Sequence, residues 1–290
     1  MVIRHRQSAG FTLVEIVVTI VISAIIAVGV LTYISDAVTG FATSSNRNAL
    51  SSSGRSVVDR LAMELHNALP NSIRVTTALP GGDQCIEFIP FVAATNYLDA
   101  PFTGNGGDTV EAVDFHPQLT AESPAEMYAV IYPIDTQDIY TLGKPGPVAL
   151  IDRIEDDDAG DGRVLLTLDE THRFAKRSPV DRLYVTRDAV SFCVVGTRLF
   201  RYENYGIEPQ QCTPAANSCD VNSALPNRAL PATLPDRTLI SEQINNSGLT
   251  AFSILEPTLR RNAIISIELN FSSKGDVLRL KHEVQQRNVP

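Results

Sequence analysis

The chain has 290 residues, 44% of them apolar and 20% charged, with a net charge of −9 and four cysteines. The apolar share is that of a folded protein and excludes a disordered one, while the acidic balance argues against nucleic acid as a partner by bulk electrostatics. The length suits one anchor with one good-sized domain, or two small domains.

The N-terminus carries a basic leader, Arg4-His5-Arg6, then Gly10-Phe11-Thr12-Leu13-Val14-Glu15 and an apolar run to Ile34. Between Phe11 and Ile34 only Glu15 and Tyr33 are ionisable. As a helix this stretch rises about 36 Å, enough to cross a hydrocarbon core roughly 30 Å thick. A carboxylate within it costs on the order of 3 kcal/mol, which calls for a partner and a role. The leader's positive charge predicts a cytoplasmic N-terminus, with the chain from about Asp36 onward exported. A secretory signal peptide has a shorter apolar core, about 7–15 residues, and a small-residue cleavage site that this run lacks. A plain signal anchor leaves Glu15 without a reason.

These residues resemble the class III signal of type IV pilins and secretion pseudopilins. The resemblance implies that a membrane-embedded prepilin peptidase cuts between Gly10 and Phe11 and that the new Phe11 amine is N-methylated. It places Glu15 at the family's fifth mature position. Electrostatics supplies a role for that residue independently. Cleavage frees an ammonium group, the opposite charge that a lipid-buried carboxylate needs. A subunit whose Glu15 meets a neighbour's amine neutralises both charges and docks in one register. Loss of the leader removes Arg4 and Arg6 and no acid, so the mature chain is more negative still.

Helical character continues to about Leu69, with no proline before Pro70. Leu50, Val57, Val58, Leu61, Leu65 and Ala68 share one face, and Arg55, Asp59, Arg60, Glu64 and His66 populate the rest. A continuous helix from Phe11 to Leu69 would be about 88 Å long, with Gly29, Gly40 and Gly54 as points of weakness or curvature. The expected divisions are a leader at 1–10, a transmembrane half-helix at 11–34, an amphipathic half at 35–69 and a β-rich exported domain at 70–290.

Beyond Pro70 the apolar period falls to 2 and predicts strands at 72–77, 84–91, 109–115, 127–132, 148–154, 163–168, 183–186, 189–195, 198–203, 263–271 and 276–284. The last two read as a hairpin about the turn Ser272-Ser273-Lys274-Gly275-Asp276. Long loops are expected at 93–108, 169–181 and 208–236. The fold class is therefore α+β, a long helix packed on an antiparallel sheet. Cys85, Cys193, Cys212 and Cys219 all follow the apolar segment, and an even count in an exported domain suggests disulfides. Three pairings are possible; 212–219 with 85–193 is favoured because the first pair flanks a short loop and the second lies in two strand-like runs. Zinc is disfavoured, as no C-x-x-C pair or suitably spaced histidine occurs.

The resemblance extends past the anchor. Arg60-Leu61-x-x-Glu64-Leu65, Ala68-Leu69-Pro70-Asn71-Ser72-Ile73-Arg74, Ser191-Phe192-Cys193, Leu199-Phe200-Arg201-Tyr202 and the C-terminal His282-Glu283-Val284-x-x-Arg287-Asn288-Val289-Pro290 resemble MshO-type minor pilins of mannose-sensitive haemagglutinin (MSHA) pili. They are more distantly similar to J-type pseudopilins of type II secretion and PilW-type minor pilins. This implies a structural subunit in a priming or tip complex, not an enzyme. Its partners would be the peptidase, other minor and major pilins, the inner-membrane assembly platform and, before assembly, lipid. No cofactor is implied, and an adhesive tip module remains an alternative.

Other constellations are weaker. The acidic run Glu155-Asp156-Asp157-Asp158-Ala159-Gly160-Asp161-Gly162 invites calcium, but taking Asp157 as position 1 puts Leu168 where an EF-hand needs its bidentate Glu, so a solvated turn is expected. His66, His116, His172 and His282 form no metal or catalytic pattern, and no G-x-S-x-G elbow occurs. Tyr202 and Tyr205 near Arg198 and Arg201 suit either sugar stacking or, more simply, strand packing.

Overall fold

The structure, a computed structural model, describes residues 12–79, 81–115, 127–156, 162–211, 236–255 and 263–286. It comprises two units, Met1–Ser51 and Ser52–Pro290. Helix α1 (Leu13–His66) begins in the first and ends in the second.

In the first unit every described residue from Thr12 to Ser45 is exposed, including Leu13 at 80% and Phe41 at 77%. The hydroxyls of this segment turn back onto their own helix: Thr19 Oγ1 donates to the Ile16 carbonyl at 2.9 Å, Thr32 to Gly29 at 2.9 Å and Thr39 to Ser35 at 2.8 Å. Such internal satisfaction is what an apolar surround demands of a helix. The segment is long and apolar enough to cross a membrane.

In the second unit α1 stays helical through Gly54. A Cβ at Gly54 would lie 3.0 Å from Leu280 Cδ1 and 3.1 Å from the Phe271 ring. The glycine is there for close packing against a sheet. Val57, Val58, Leu61 and Leu65 on the same face are buried. The helix ends at His66, three residues before the expected limit. Asn67 N and Ala68 N bond back to the carbonyls of Glu64 and Leu65, and Leu69 N then donates to the Ile89 carbonyl at 2.8 Å. Pro70, which disfavours helical backbone in Leu69, completes the stop.

The strands form three antiparallel groups. The first is a five-stranded sheet in the order β1 (Arg74–Val75), β2 (Gln84–Phe88), β9 (Val190–Val195), β10 (Arg198–Tyr202), β11 (Arg237–Ser241). The second is a three-stranded sheet of β12 (Phe252–Leu255), β13 (Ala263–Ser273) and β14 (Asp276–Gln286). The last two make the expected hairpin, with Lys274 and Gly275 both at positive φ and Ser273 opposite Asp276. That is the two-residue turn whose twist suits a hairpin.

The third group is a closed six-stranded barrel in the order β3 (Phe91–Asp99), β4 (Gly107–Val113), β7 (Arg163–His172), β6 (Val148–Asp156), β5 (Tyr128–Ile131), β8 (Arg182–Thr186). It is inserted whole between β2 and β9, which are neighbours in the five-stranded sheet. Its interior is filled by Val110, Ala112, Ile131, Ile151, Val164, Leu166, Leu183 and Val185. Register shifts in β3, β4 and β6 help the sheet to curl and close. The outer face of β5, β6 and β8, through Tyr128, Val130, Val148 and Tyr184, shares a second core with Cys85, Cys193 and Tyr202 of the five-stranded sheet.

Three sequence expectations are corrected. Within the loop expected at 93–108, β3 runs on to Asp99 and β4 begins at Gly107, and the loop expected at 169–181 begins as the end of β7. A short helix, α2 (Thr136–Thr141), was not expected; Asp135 caps it by accepting from Gln137 N at 2.7 Å.

Candidate assembly site at the start of the helix

Thr12 sets the beginning of α1. Its carbonyl accepts from Glu15 N at 3.1 Å and Ile16 N at 3.2 Å, and its Oγ1 lies 3.3 Å from Glu15 N. Thr12-Leu13-Val14-Glu15 thus has the form of a capping box, threonine at N-cap and glutamate at N3. The signal was present in the sequence, hidden inside the longer apolar motif. Glu15 sits in the first turn, where the positive end of the helix dipole favours a carboxylate. Its side chain is exposed among exposed Leu13, Val14 and Ile16. Gly10 and Phe11, the expected scissile pair, lie outside the described residues.

Cys85 and Cys193 form a disulfide, opposite one another on β2 and β9. Cys212 and Cys219, and the centre of the acidic turn at 157–161, lie outside the described residues. Of the histidines, His66 and His282 are exposed, while His172 is buried with Nε2 3.0 Å from the Gly146 carbonyl; His116 lies outside the described residues. Burial pushes the His172 pKa down.

Tyr202 and Tyr205 are packing residues. Both are buried, and the Tyr205 hydroxyl donates to Glu87 at 2.9 Å. Arg201 is tied to Glu64 of α1 at 2.9 Å and to Glu203 at 2.7 Å, and Arg198 faces Glu242 at 3.7 Å. The sequence reading did not identify the polar cluster at the centre of this region. Glu87 is fully buried, with Oε2 2.5 Å from Arg74 Nε, whose two Nη groups donate to the carbonyls of Glu208 and Pro209. The Arg74 guanidinium also stacks 3.5 Å above the Tyr140 ring. The cluster joins β1, β2, α2 and the segment after β10, which makes it a structural clamp.

Residues 5–31 match the family model described as the prokaryotic N-terminal methylation motif. That match supports a type IV pilin-like or pseudopilin subunit, anchored in a membrane by its helix and handled by a prepilin peptidase, and suggests a structural protein rather than an enzyme. No curated protein and no solved structure matches the chain.

Proposed function

We propose that this type IV pilin-like chain is a minor pilin of an MSHA-type pilus, cut between Gly10 and Phe11, methylated on Phe11 and assembled through Glu15 with other minor and major pilins. The observation that carries the reading is the methylation motif at the head of an uninterrupted helix whose apolar side chains from Leu13 to Ile34 are all exposed. Burying a valine, leucine or isoleucine side chain stabilises by roughly 1.5–3 kcal/mol, so more than a dozen such groups demand lipid or a bundle of like helices. Filament growth exchanges one apolar surround for the other. Glu15 is then the polar group left needing a partner, and the neighbour's Phe11 ammonium supplies it. The Cys85–Cys193 disulfide supports an exported, oxidising location for the second unit.

The test is expression of Gly10→Ala and Glu15→Val chains in a piliated host, read by mass spectrometry of the N-terminus and by recovery in sheared filaments. Gly10→Ala is expected to keep its leader, and Glu15→Val to be cut and methylated but poorly incorporated. Normal maturation and incorporation of both would reject the mechanism.

A further inference from the structure

A cleft of about 610 Å³ opens where the inserted barrel meets the end of α1 and the end of β14. Its walls come from four elements far apart in sequence: His66 of α1, Phe91 and Ala94 of β3, Arg182 and Tyr184 of β8, and Gln285 and Gln286 of β14. The volume lies within the usual range for small-molecule sites, roughly 300–1,000 Å³.

The lining is chemically mixed in a particular way. Phe91 is half-buried and packs edge-on to Tyr184, with ring centroids 5.6 Å apart, which gives one apolar wall. Gln286 is fixed by donating Nε2 to the carbonyls of Ala68 and Leu69, both at 2.9 Å, and Gln285 beside it is exposed. Arg182 hydrogen-bonds to the Tyr184 phenol, yet its buried Nε has no acceptor among the described residues. A buried donor left without a partner costs about 1–3 kcal/mol, more when charged, so this arginine is incomplete as it stands. In a chain of net charge −9 the cleft lining carries, among the described residues, an arginine and a histidine and no carboxylate. The carbonyls at the end of α1 do not oppose an anion strongly, since those of Glu64, Leu65 and Asn67 already accept from Asn67 N, Ala68 N and Phe91 N.

We propose that this cleft binds a small carboxylate-bearing saccharide. The guanidinium of Arg182 takes the carboxylate as a charge-assisted pair. The Gln285 amide, donor and acceptor at once, pairs with ring hydroxyls, and Gln286, whose amide N–H groups are spent on Ala68 and Leu69, offers its Oε1 as an acceptor. The Phe91 ring lies against the apolar face of the pyranose. This assignment rests on the second unit alone and stands or falls separately from the assembly role of Glu15.

The test uses the full chain in detergent micelles, with glucuronate, glucose and acetate as probes in equilibrium dialysis. Glucuronate is expected to bind at least about tenfold more tightly than either of the others. Arg182→Gln should weaken glucuronate about ten- to a hundredfold, the loss expected for a hydrogen bond to a charged group. Ala94→Leu, at an exposed position on the cleft wall, should also weaken it while leaving thermal unfolding unchanged. Absence of glucuronate binding overturns the proposal. So does acetate binding as well as glucuronate, which would mark a simple anion site, or unchanged affinity in a folded Arg182→Gln or Ala94→Leu chain.

Discussion

Glu87 is fully buried beside Arg74 and Tyr205, and the directions of these influences differ. Burial is the largest and raises the carboxyl above its ordinary value of 4.5, while the Arg74 charge and the hydrogen bonds from Arg74 and Tyr205 pull it back. The folded protein therefore takes up this proton before the unfolded chain does. The stabilisation linked to that uptake is complete below the unfolded pKa and is lost as pH rises through the folded one. In Glu87→Gln that contribution is gone, so wild type should gain stability relative to the variant as pH falls from neutral toward the carboxylate range. Thermal unfolding of both chains across that interval checks the sign; a gap that narrows on acidification contradicts it. Gly54 carries a second residue-scale prediction. Gly54→Val pushes methyl groups into Phe271 and Leu280 and should destabilise by about 1–3 kcal/mol, measured by denaturant unfolding. Sequence reading took Gly54 for a weak point because a glycine's intrinsic cost is local, whereas its benefit here lies in β13 and β14, more than two hundred residues away.

At the scale of elements, the amphipathic half of α1 and the β13–β14 hairpin were legible because their periods are strong: Val57, Val58, Leu61 and Leu65 recur on one face, and Ile265, Ile267, Leu269 and Phe271 alternate. Strand β3 was not. Its small and polar residues, Ala93, Ala94, Thr95 and Asn96, give almost no hydrophobic alternation, and it becomes a strand because β4 and β8 both pair with it. Barrel closure is a long-range condition that no window of sequence contains. The arginine cleft was hidden for the same reason, as Arg182 and Gln286 meet only after the insert docks. The Cys85–Cys193 bridge joins positions 108 residues apart, so it limits the unfolded chain strongly. Replacing both cysteines by serine should lower stability by about 2–5 kcal/mol, read from denaturant midpoints under non-reducing conditions. No change would mean that the sheet core alone holds β2 to β9.

For the whole molecule, the insertion has a consequence for what happens after a protease attack. Residues 91–186 leave the five-stranded sheet and return to it beside their point of departure, and the bridge ties exit to return. A single nick anywhere in the barrel would sever the peptide backbone yet leave one covalent molecule, resolving into two fragments on a gel only after a reductant is added. The folded unit thereby keeps its tie to the long helix even when the continuity of its insert is broken.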